Sequence, residues 1–330
     1  MSLQTAGVID IHAHAVLEET FGMAGAYGPE LYAEPDGTPV FRIGDYRLRG
    51  VRYRGSPFMD LDVRIAAMDR SGVDWQLLSP NPLTYFHYVP AGEAIRFCRR
   101  HNDALAGWAA LHPHRLGAAA ALPMQDVDAA IAELRRAVRE LGMLAAYIGS
   151  GMPQGLDDAV MDPFYETVAE LDVPLFIHPG PEGIDGPPGN AALRRYDLDI
   201  ICGFTAQETA AVATLLFGGV LHRHPALDIC ISHGGGATAL IWGRLAKAAA
   251  KRPWAPDHLK RDGAVAEQLG RLWYDVHMHD DRAVDLLAER VGTERLVYGT
   301  NFAGWDAPDR FEAPRIDAPL ADNARRLLRA

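Results

Sequence analysis

The sequence has few cysteines, and those it has are far apart. Only three occur among 330 residues, Cys98, Cys202 and Cys230, and none belongs to a Cys-x-x-Cys pair. An odd number of distant thiols excludes a disulfide framework, and the missing pairs argue against a structural zinc cluster. Reduced thiols are typical of cytoplasmic proteins, and the cytoplasm is the location we expect.

Positive charge is also scarce. The chain has 32 Lys and Arg against 43 Asp and Glu, which gives a formal net charge of −11 and a sequence pI near 5.6. This acidic balance provides no electrostatic basis for binding nucleic acid or an anionic membrane, so we expect neither partner. We expect no apolar run as long as a transmembrane helix, and the first residues lack the pattern of a signal peptide.

No linker, repeat or low-complexity tract divides the chain, which predicts a single domain over 1–330. Short apolar runs alternate with longer helical patterns throughout. Eight candidate strands lie at 7–14, 73–79, 116–122, 144–149, 174–178, 227–232, 272–278 and 295–302. Helical patterns lie near 60–71, 91–107, 126–141, 159–171, 205–223, 237–250, 281–291 and 319–329. Eight repeats favour a closed (β/α)₈ TIM barrel, with an open doubly wound sheet as the alternative.

Two irregular segments interrupt this alternation. The longer one, 15–58, is rich in Gly, Pro, Tyr and Arg, and the shorter one, 179–200, follows the fifth predicted strand. Long loops in compact domains are usually functional, and an insertion after the first barrel strand would lie over the C-terminal mouth. We therefore predict that 15–58 forms a cap segment.

The first predicted strand ends in His12-Ala-His14. Alternate residues of a strand point to one face, so both imidazoles are aimed at one place. Two neutral imidazoles make half of a divalent-metal site, whereas an isolated pair on a surface strand would mean nothing. Here the pair closes an apolar run, and other strands supply further ligands.

Histidines also end other predicted strands. His178 ends the fifth and His233 the sixth, while the seventh carries Asp275 and His277, and the eighth ends in Asn301. Catalytic groups of barrel enzymes lie at the C-terminal ends of strands. One such histidine would be ordinary in a core, but their joint occurrence predicts a site.

Several further motifs accompany these histidines. They are Asp10-Ile-His-Ala-His14, Asp62-Val-Arg-Ile-Ala-Ala-Met-Asp-Arg-Ser-Gly-Val73, Leu122-Pro-Met-Gln125, His178-Pro, Gly218-Gly-Val220, His233-Gly-Gly-Gly236 and Trp242-Gly-Arg244. With them the chain resembles the amidohydrolase superfamily over almost its whole length. The resemblance is to the branch of the aminocarboxymuconate-semialdehyde and γ-resorcylate decarboxylases.

The resemblance implies a role for each matched histidine. His12, His14 and His178 would bind one divalent metal, and His233 would hydrogen-bond the metal-bound water and act as a base. The superfamily's carbamylated lysine is absent from the fourth strand, where Tyr147 stands. This difference fits the mononuclear branch of the superfamily.

The resemblance also implies how a substrate carboxylate is held. Arg244 matches an arginine that crosses a dimer interface in this family, which predicts a homodimer. An arginine of the segment 47–54, Arg54 or Arg52, would supply a second contact. The guanidinium group suits this task because it binds a carboxylate at two points and stays charged.

The eighth strand departs from the family pattern. Where relatives have a metal-binding aspartate, the sequence has Asn301. Three alternatives follow: Asn301 serves as a neutral ligand, Asp306 takes its place, or the metal binds poorly and leaves the protein inactive. A site with one negative charge fewer favours zinc over manganese.

The function implied is a metal-dependent, non-oxidative decarboxylation of a small planar unsaturated or aromatic carboxylic acid. The same site could instead hydrolyse or hydrate a lactone, amide or enol acid. A third alternative is a metal-poor homologue that binds a ligand without turnover.

Overall fold

A computed structural model describes residues 2–308 and 315–330. Its strands are β1 (Ile9–Ala15), β2 (Glu30–Ala33), β3 (Pro39–Ile43), β4 (Tyr46–Arg49), β5 (Trp75–Pro80), β6 (Leu116–Ala121), β7 (Ala145–Gly149), β8 (Leu175–His178), β9 (Ile229–Ile231), β10 (Trp273–Asp275) and β11 (Leu296–Val297). Its helices are α1 (Leu61–Ser71), α2 (Ala91–Leu111), α3 (Val127–Arg139), α4 (Asp162–Glu170), α5 (Leu198–Ile201), α6 (Gly203–Phe217), α7 (Val220–Arg223), α8 (Thr238–Lys251), α9 (Ala264–Leu269), α10 (Asp281–Val291) and α11 (Leu320–Leu327).

Eight strands form one parallel sheet in the order β1-β5-β6-β7-β8-β9-β10-β11. Backbone hydrogen bonds join its two ends, because Ile11 N donates to Tyr298 O over 3.0 Å and Phe302 N donates to His12 O over 3.2 Å. The predicted (β/α)₈ barrel is therefore confirmed, and each predicted strand overlaps an observed one. The closure places the end of β1 beside the segment that carries Asn301.

The barrel strands are buried on both faces. All seven residues of β1 are buried, as are all six of β5 and of β6. Barrel strands have side chains inside the barrel on one face and helices on the other, so they read as continuous apolar runs. A polar residue within such a run, such as Asp10 or His12, is therefore unusual and is held by specific partners.

Aspartates begin several of the outer helices. The Asp60 carboxylate accepts a hydrogen bond from Val63 N before α1, and the Asp126 carboxylate accepts one from Ala129 N before α3. These side chains satisfy backbone donors that have no partner within the helix. The predicted helix over 205–223 is interrupted, because Gly219 adopts a left-handed φ of 75° between α6 and α7.

The segment 15–58 is not wholly irregular. It contains an antiparallel sheet in the order β2-β3-β4, whose second hairpin turns at Gly44 with a φ of 54°. Phe41 and Ile43 of β3 pack in one apolar cluster with Phe86 and Ile184, from the loops after β5 and β8. Because these loops leave the C-terminal ends of their strands, the small sheet covers that side of the barrel mouth.

One apolar stretch is longer than we expected. Leu198–Phe217 has the length and composition of a membrane-spanning helix, which contradicts the expectation that no run reaches this length. Only a third of its apolar window is buried. A core helix of a soluble protein passes the same test, so this single stretch is weak evidence for a membrane segment.

Candidate metal centre and active site

Three predicted histidines meet inside the barrel mouth. The ligand atoms of His12, His14 and His178 lie within 4.8 Å of one another, and all three residues are buried. His12 Nε2 and His178 Nε2 are 3.1 Å apart. Two imidazole ligands of one tetrahedral zinc would be separated by about 3.3 Å, given Zn–N bonds of about 2.0–2.1 Å. The arrangement therefore has the dimensions of a metal site.

The hydrogen bonds of the other ring nitrogens fix the tautomer of each imidazole. His12 Nδ1 lies 2.9 Å from Asp275 Oδ2, His14 Nδ1 lies 2.9 Å from Pro80 O, and His178 Nδ1 lies 2.6 Å from Pro179 O. Oxygens of this kind accept hydrogen bonds, so each Nδ1 carries the proton and each Nε2 presents a lone pair.

Three converging lone pairs need a positive partner. His14 Nε2 is buried without a hydrogen bond, and the Nε2 atoms of His12 and His178 lie 3.1 Å apart. Burial lowers the pKa of His14 to about 3 and that of the other two well below the usual value, which keeps all three neutral. A divalent cation fits this donor set, and the aligned Nδ1 contacts are the support that metal-binding histidines commonly have.

Asp10 anchors β1 beneath the site. Its Oδ1 accepts from His12 N over 3.0 Å and from Thr300 N over 3.1 Å, and its Oδ2 accepts from Gln76 Nε2 over 2.9 Å. Burial raises the pKa of Asp10 to about 6, although these hydrogen bonds oppose the shift. The carboxylate therefore joins β1, β5 and the segment after β11 beside the histidine triad.

His233 lies beside the triad with a carboxylate behind it. Its ring centroid is 4.9 Å from that of His12, and its Nδ1 is 2.6 Å from Oε1 of the buried Glu208 on α6. Burial lowers the pKa of His233, but the charge and hydrogen bond of Glu208 outweigh it and raise the pKa to about 9. His233 thus holds a proton at neutral pH, unlike the histidines of the triad.

Asn301 follows β11 and contacts a carboxylate. Its Nδ2 donates to Asp306 Oδ1 over 2.6 Å, which leaves its Oδ1 as the side of the amide with lone pairs. Asp306 belongs to a second group, because its Oδ2 lies 3.1 Å from His277 Nε2 and from His279 Nε2. Burial raises the pKa of Asp306, but the His277 contact and the other hydrogen bonds hold it well below its usual value.

A cavity of about 490 Å³ opens next to the triad. Tyr85 lines it, and the Tyr85 hydroxyl is 3.0 Å from His178 Nδ1. The loop 180–188 and the side chains of His87 and Gln207 complete much of its wall. Among the described residues that line this cavity there is no Lys or Arg, so it holds no positive charge of its own.

The three predicted arginines lie away from this cavity. Arg54 is exposed and pairs with Glu18 over 2.6 Å, and Arg52 is exposed on the same segment. Arg244 is exposed on α8 and forms no ion pair within the described ranges. The structure therefore brings together the predicted histidines but places none of the predicted arginines against them.

A family comparison matches residues 9–329 to the family described as amidohydrolase. The chain belongs to the amidohydrolase family. The resemblance inferred from the sequence motifs is confirmed.

Two relatives and one solved structure illustrate where this amidohydrolase lies within the family. It is 32% identical over 246 residues to the 2-amino-3-carboxymuconate-6-semialdehyde decarboxylase of Dictyostelium discoideum, covering 74% of this chain and 66% of the relative, just under two thirds. It is 36% identical over 286 residues to the gamma-resorcylate decarboxylase of Rhodococcus jostii, covering 77% of this chain and 83% of the relative.

The solved structure is a dihydroxybenzoic acid decarboxylase from Polaromonas sp. JS666, with bound manganese and the inhibitor 2-nitroresorcinol. It matches with a TM-score of 0.74 and 24% identity and covers 100% of this chain and 97% of that one. At this identity the likeness establishes the fold.

Three residues in and around the candidate site were not predicted from the sequence. Glu208 lies within an apolar helix, and nothing in its local sequence indicates that it reaches His233. Tyr85 lies in the run Tyr85-Phe-His-Tyr88, which by itself indicates only an aromatic patch. His279 had a signal, because His277-Met-His279 repeats the His-x-His spacing of the first strand.

Proposed function

We propose that this amidohydrolase is a metal-dependent, non-oxidative decarboxylase of a small aromatic or unsaturated carboxylic acid. The observation that carries the proposal is the convergence of the ligand atoms of His12, His14 and His178 within 4.8 Å of one another, beside a histidine that pairs with a buried carboxylate. The three Nε2 atoms suit a metal ion, and His233 suits the delivery of a proton. The decarboxylase relatives at 32% and 36% identity support the same reaction class.

His12, His14 and His178 hold the metal in this proposal, and Asn301 Oδ1 supplies a neutral fourth ligand. When bound, the metal supplies positive charge that stabilises electron density on the substrate as the carbon–carbon bond breaks. Asp275 orients His12 through Nδ1, and the carbonyls of Pro80 and Pro179 orient the other two rings. These contacts keep the three nitrogens aimed at one point before the metal arrives.

His233 supplies the proton that replaces the lost carboxylate. Its Nδ1 is occupied by Glu208, so the proton on Nε2 is the one available for transfer. The substrate carbon takes this proton, the bond to the carboxylate breaks, and CO₂ leaves while the bonding pair remains with the carbon. The resemblance implies a base at this position, but a pKa of about 9 favours an acid for the first step.

The substrate carboxylate needs cationic contacts that the cavity itself does not provide. Arg244 of a second copy supplies one in this proposal, and Arg54 or Arg52 of the cap supplies another. Leu240 is 76% exposed and lies one helical turn before Arg244 on the same face of α8. An exposed leucine beside an unpaired arginine supports contact between two copies at this face.

Zinc is the metal that we expect at the triad. Three imidazoles and an amide oxygen carry no negative charge, and imidazole ligands favour zinc over manganese in the usual order of affinity. The Polaromonas decarboxylase holds manganese. Competition between the two ions for the metal-free protein tests the assignment, and a preference for manganese at equal concentrations would contradict it.

Measurement of CO₂ release tests the reaction. We expect the zinc-loaded protein to release CO₂ from hydroxybenzoate-type or carboxymuconate-type acids, and the His12→Ala variant to lose this activity. His114→Ala, an exposed histidine outside the site, is the matched control. Consumption of the acid without CO₂ would indicate hydration or hydrolysis instead, and no consumption would indicate ligand binding without turnover.

The three cysteines support a reducing location. All are free thiols, with Cys98 and Cys230 buried and Cys202 exposed. An exposed free thiol is typical of cytoplasmic proteins, so the cytoplasm is the compartment we propose.

A further inference from the structure

We propose that His277, His279 and Asp306 form a second divalent-metal site beside the histidine triad. Each residue offers one ligand atom, and these three atoms lie within 4.8 Å of one another. The proposal goes beyond the decarboxylase function, because a mononuclear mechanism does not need these residues.

The three donors suit a borderline ion such as zinc. His277 Nε2 and His279 Nε2 each lie 3.1 Å from the same atom, Asp306 Oδ2. Their rings are 4.3 Å apart between centroids and inclined at 72°, so the two nitrogens approach the carboxylate from different directions. Two imidazoles and one carboxylate are a common ligand set that leaves coordination positions open for water or substrate.

Two neighbouring strands build this second group. His277 and His279 follow β10 with the His-x-His spacing, and Asp306 comes from the segment after β11. Asn301 fixes Asp306 by donating its amide hydrogen to Oδ1, which leaves Oδ2 directed at both histidines. Asp306 lies five residues after Asn301, and its Oδ2 faces the second group.

The exposure of the three side chains allows an ion to enter and be held. His277 is 5% exposed, Asp306 is 13% exposed, and His279 is 53% exposed. His277 and Asp306 thus form the buried part of the proposed site, and His279 lies on its solvent-exposed side. The rings of His277 and His12 are 5.7 Å apart, so an ion here would lie near the same substrate as an ion at the triad.

Hydrogen bonding alone is the competing explanation. Both imidazoles could donate N–H groups to Asp306 without any ion, because a carboxylate oxygen accepts more than one hydrogen bond. The two explanations differ in the number of metal ions that the protein binds and in where they lie.

Zinc titration of the metal-free protein separates them. We expect two zinc equivalents for the natural sequence, one for His279→Ala and one for His12→Ala, with crystals showing anomalous zinc scattering at both groups. Asp306→Asn is a second variant that keeps the side chain's shape and removes its charge, and it should also bind one. His114→Ala should bind two.

A single equivalent that is unaffected by His279→Ala, with scattering only at the triad, would overturn the proposal. A single equivalent lost in His279→Ala and kept in His12→Ala would leave the second site standing and remove the basis of the proposed decarboxylase. The experiment therefore separates failure of the second site from failure of the first.

Discussion

At the scale of single residues, the hydrogen bond between Asn301 and Asp306 fixes the position of a carboxylate in the segment after β11. Asn301 donates to Asp306, and Asp306 in turn faces His277 and His279. The Asn301 amide therefore positions the Asp306 carboxylate. It orients a carboxylate that lies five residues farther along the chain.

Replacing Asn301 with aspartate should show how much the contact between Asn301 and Asp306 contributes. In the metal-free protein, Asn301→Asp removes the donor and puts two carboxylates in contact, so we expect a loss of roughly 1–3 kcal/mol in the free energy of unfolding. With zinc present, the added charge should tighten binding at the triad. Denaturant unfolding with chelator and zinc titration measure the two effects.

The double variant Asn301→Asp with Asp306→Asn is the control, because it restores one donor opposite one carboxylate. It should recover most of the lost stability. If Asn301→Asp alone unfolds at the same denaturant concentration as the natural sequence, the contact contributes nothing.

The pairing of His233 with Glu208 predicts a pH dependence of the metal-free protein. Because the folded-state pKa of His233 is raised from 6.5 to about 9, its contribution to stability is fully present below pH 6.5. That contribution should be lost as the pH rises through about 9. NMR titration of the His233 Cε1 proton checks the pKa directly, and Glu208→Gln should lower it.

The Glu166→Gln variant removes a carboxylate elsewhere on the chain and should leave the His233 titration unchanged. A His233 pKa that stays near 9 in Glu208→Gln would contradict the role given to this carboxylate. A His233 pKa at or below 6.5 in the natural sequence would remove the argument that His233 is the proton donor.

At the scale of elements, the site depends on how closely β1 approaches β10 and the end of β11. A methyl group at Gly299 would lie 2.7 Å from His12 Cβ and 3.2 Å from Asp275 Cβ. Glycine is therefore required for close approach at this position, since no Cβ fits without moving the ligand strand.

Gly299→Ala should weaken zinc binding without removing a ligand. We expect a loss of about 10- to 100-fold in affinity, because the displaced His12 would lose its alignment with Asp275. Gly107→Ala in α2 is the matched control, since nothing lies within 4 Å of its added methyl group. Equal zinc affinity in the two variants would show that β1 accommodates the methyl group.

Element by element, the sequence predicted the barrel better than the cap. Barrel strands such as β1 are continuous apolar runs because they are buried on both faces. The strands of the cap are short and partly exposed, as in β4, where no residue is buried. The Gly44-Asp45 turn indicates a β-hairpin in this segment, but one turn does not show which of the flanking residues form strands.

At the scale of the whole molecule, the exposed face of α8 is the strongest indication of an assembly. Leu240 is 76% exposed there, and Arg244 shares its side of the helix. No Lys or Arg lines the cavity within the described residues, and in the proposed function a second copy supplies the cation for the substrate carboxylate. Assembly and substrate binding would then depend on the same surface.

Leu240→Asp should convert a dimer to monomers. A carboxylate placed in an apolar contact must lose its water of solvation, which opposes association. Sedimentation velocity measures the change, with Leu111→Asp as the control because Leu111 is 70% exposed on α2. A natural sequence that sediments as a monomer would remove the dimer proposal altogether.

Mixing two inactive variants tests whether Arg244 acts across the interface. A dimer of one Arg244→Ala subunit and one His233→Ala subunit has one complete site only if the arginine comes from the partner. Random mixing should therefore restore about a quarter of the natural activity in a symmetric dimer. No recovery after confirmed exchange of subunits would place Arg244 in its own subunit or outside the site.

The sequence by itself determined the barrel, the family and the histidines of the first site. Buried barrel strands require continuous apolar runs, which are visible in the sequence. The C-terminal ends of these strands meet at one mouth of the barrel regardless of the conformations of the loops. Only the tertiary structure decided the partners across long separations: Glu208 behind His233, Asp275 behind His12, and Asp306 beside His277. These pairs depend on the angles at which helices and loops return to the barrel, and packing of the whole chain sets those angles.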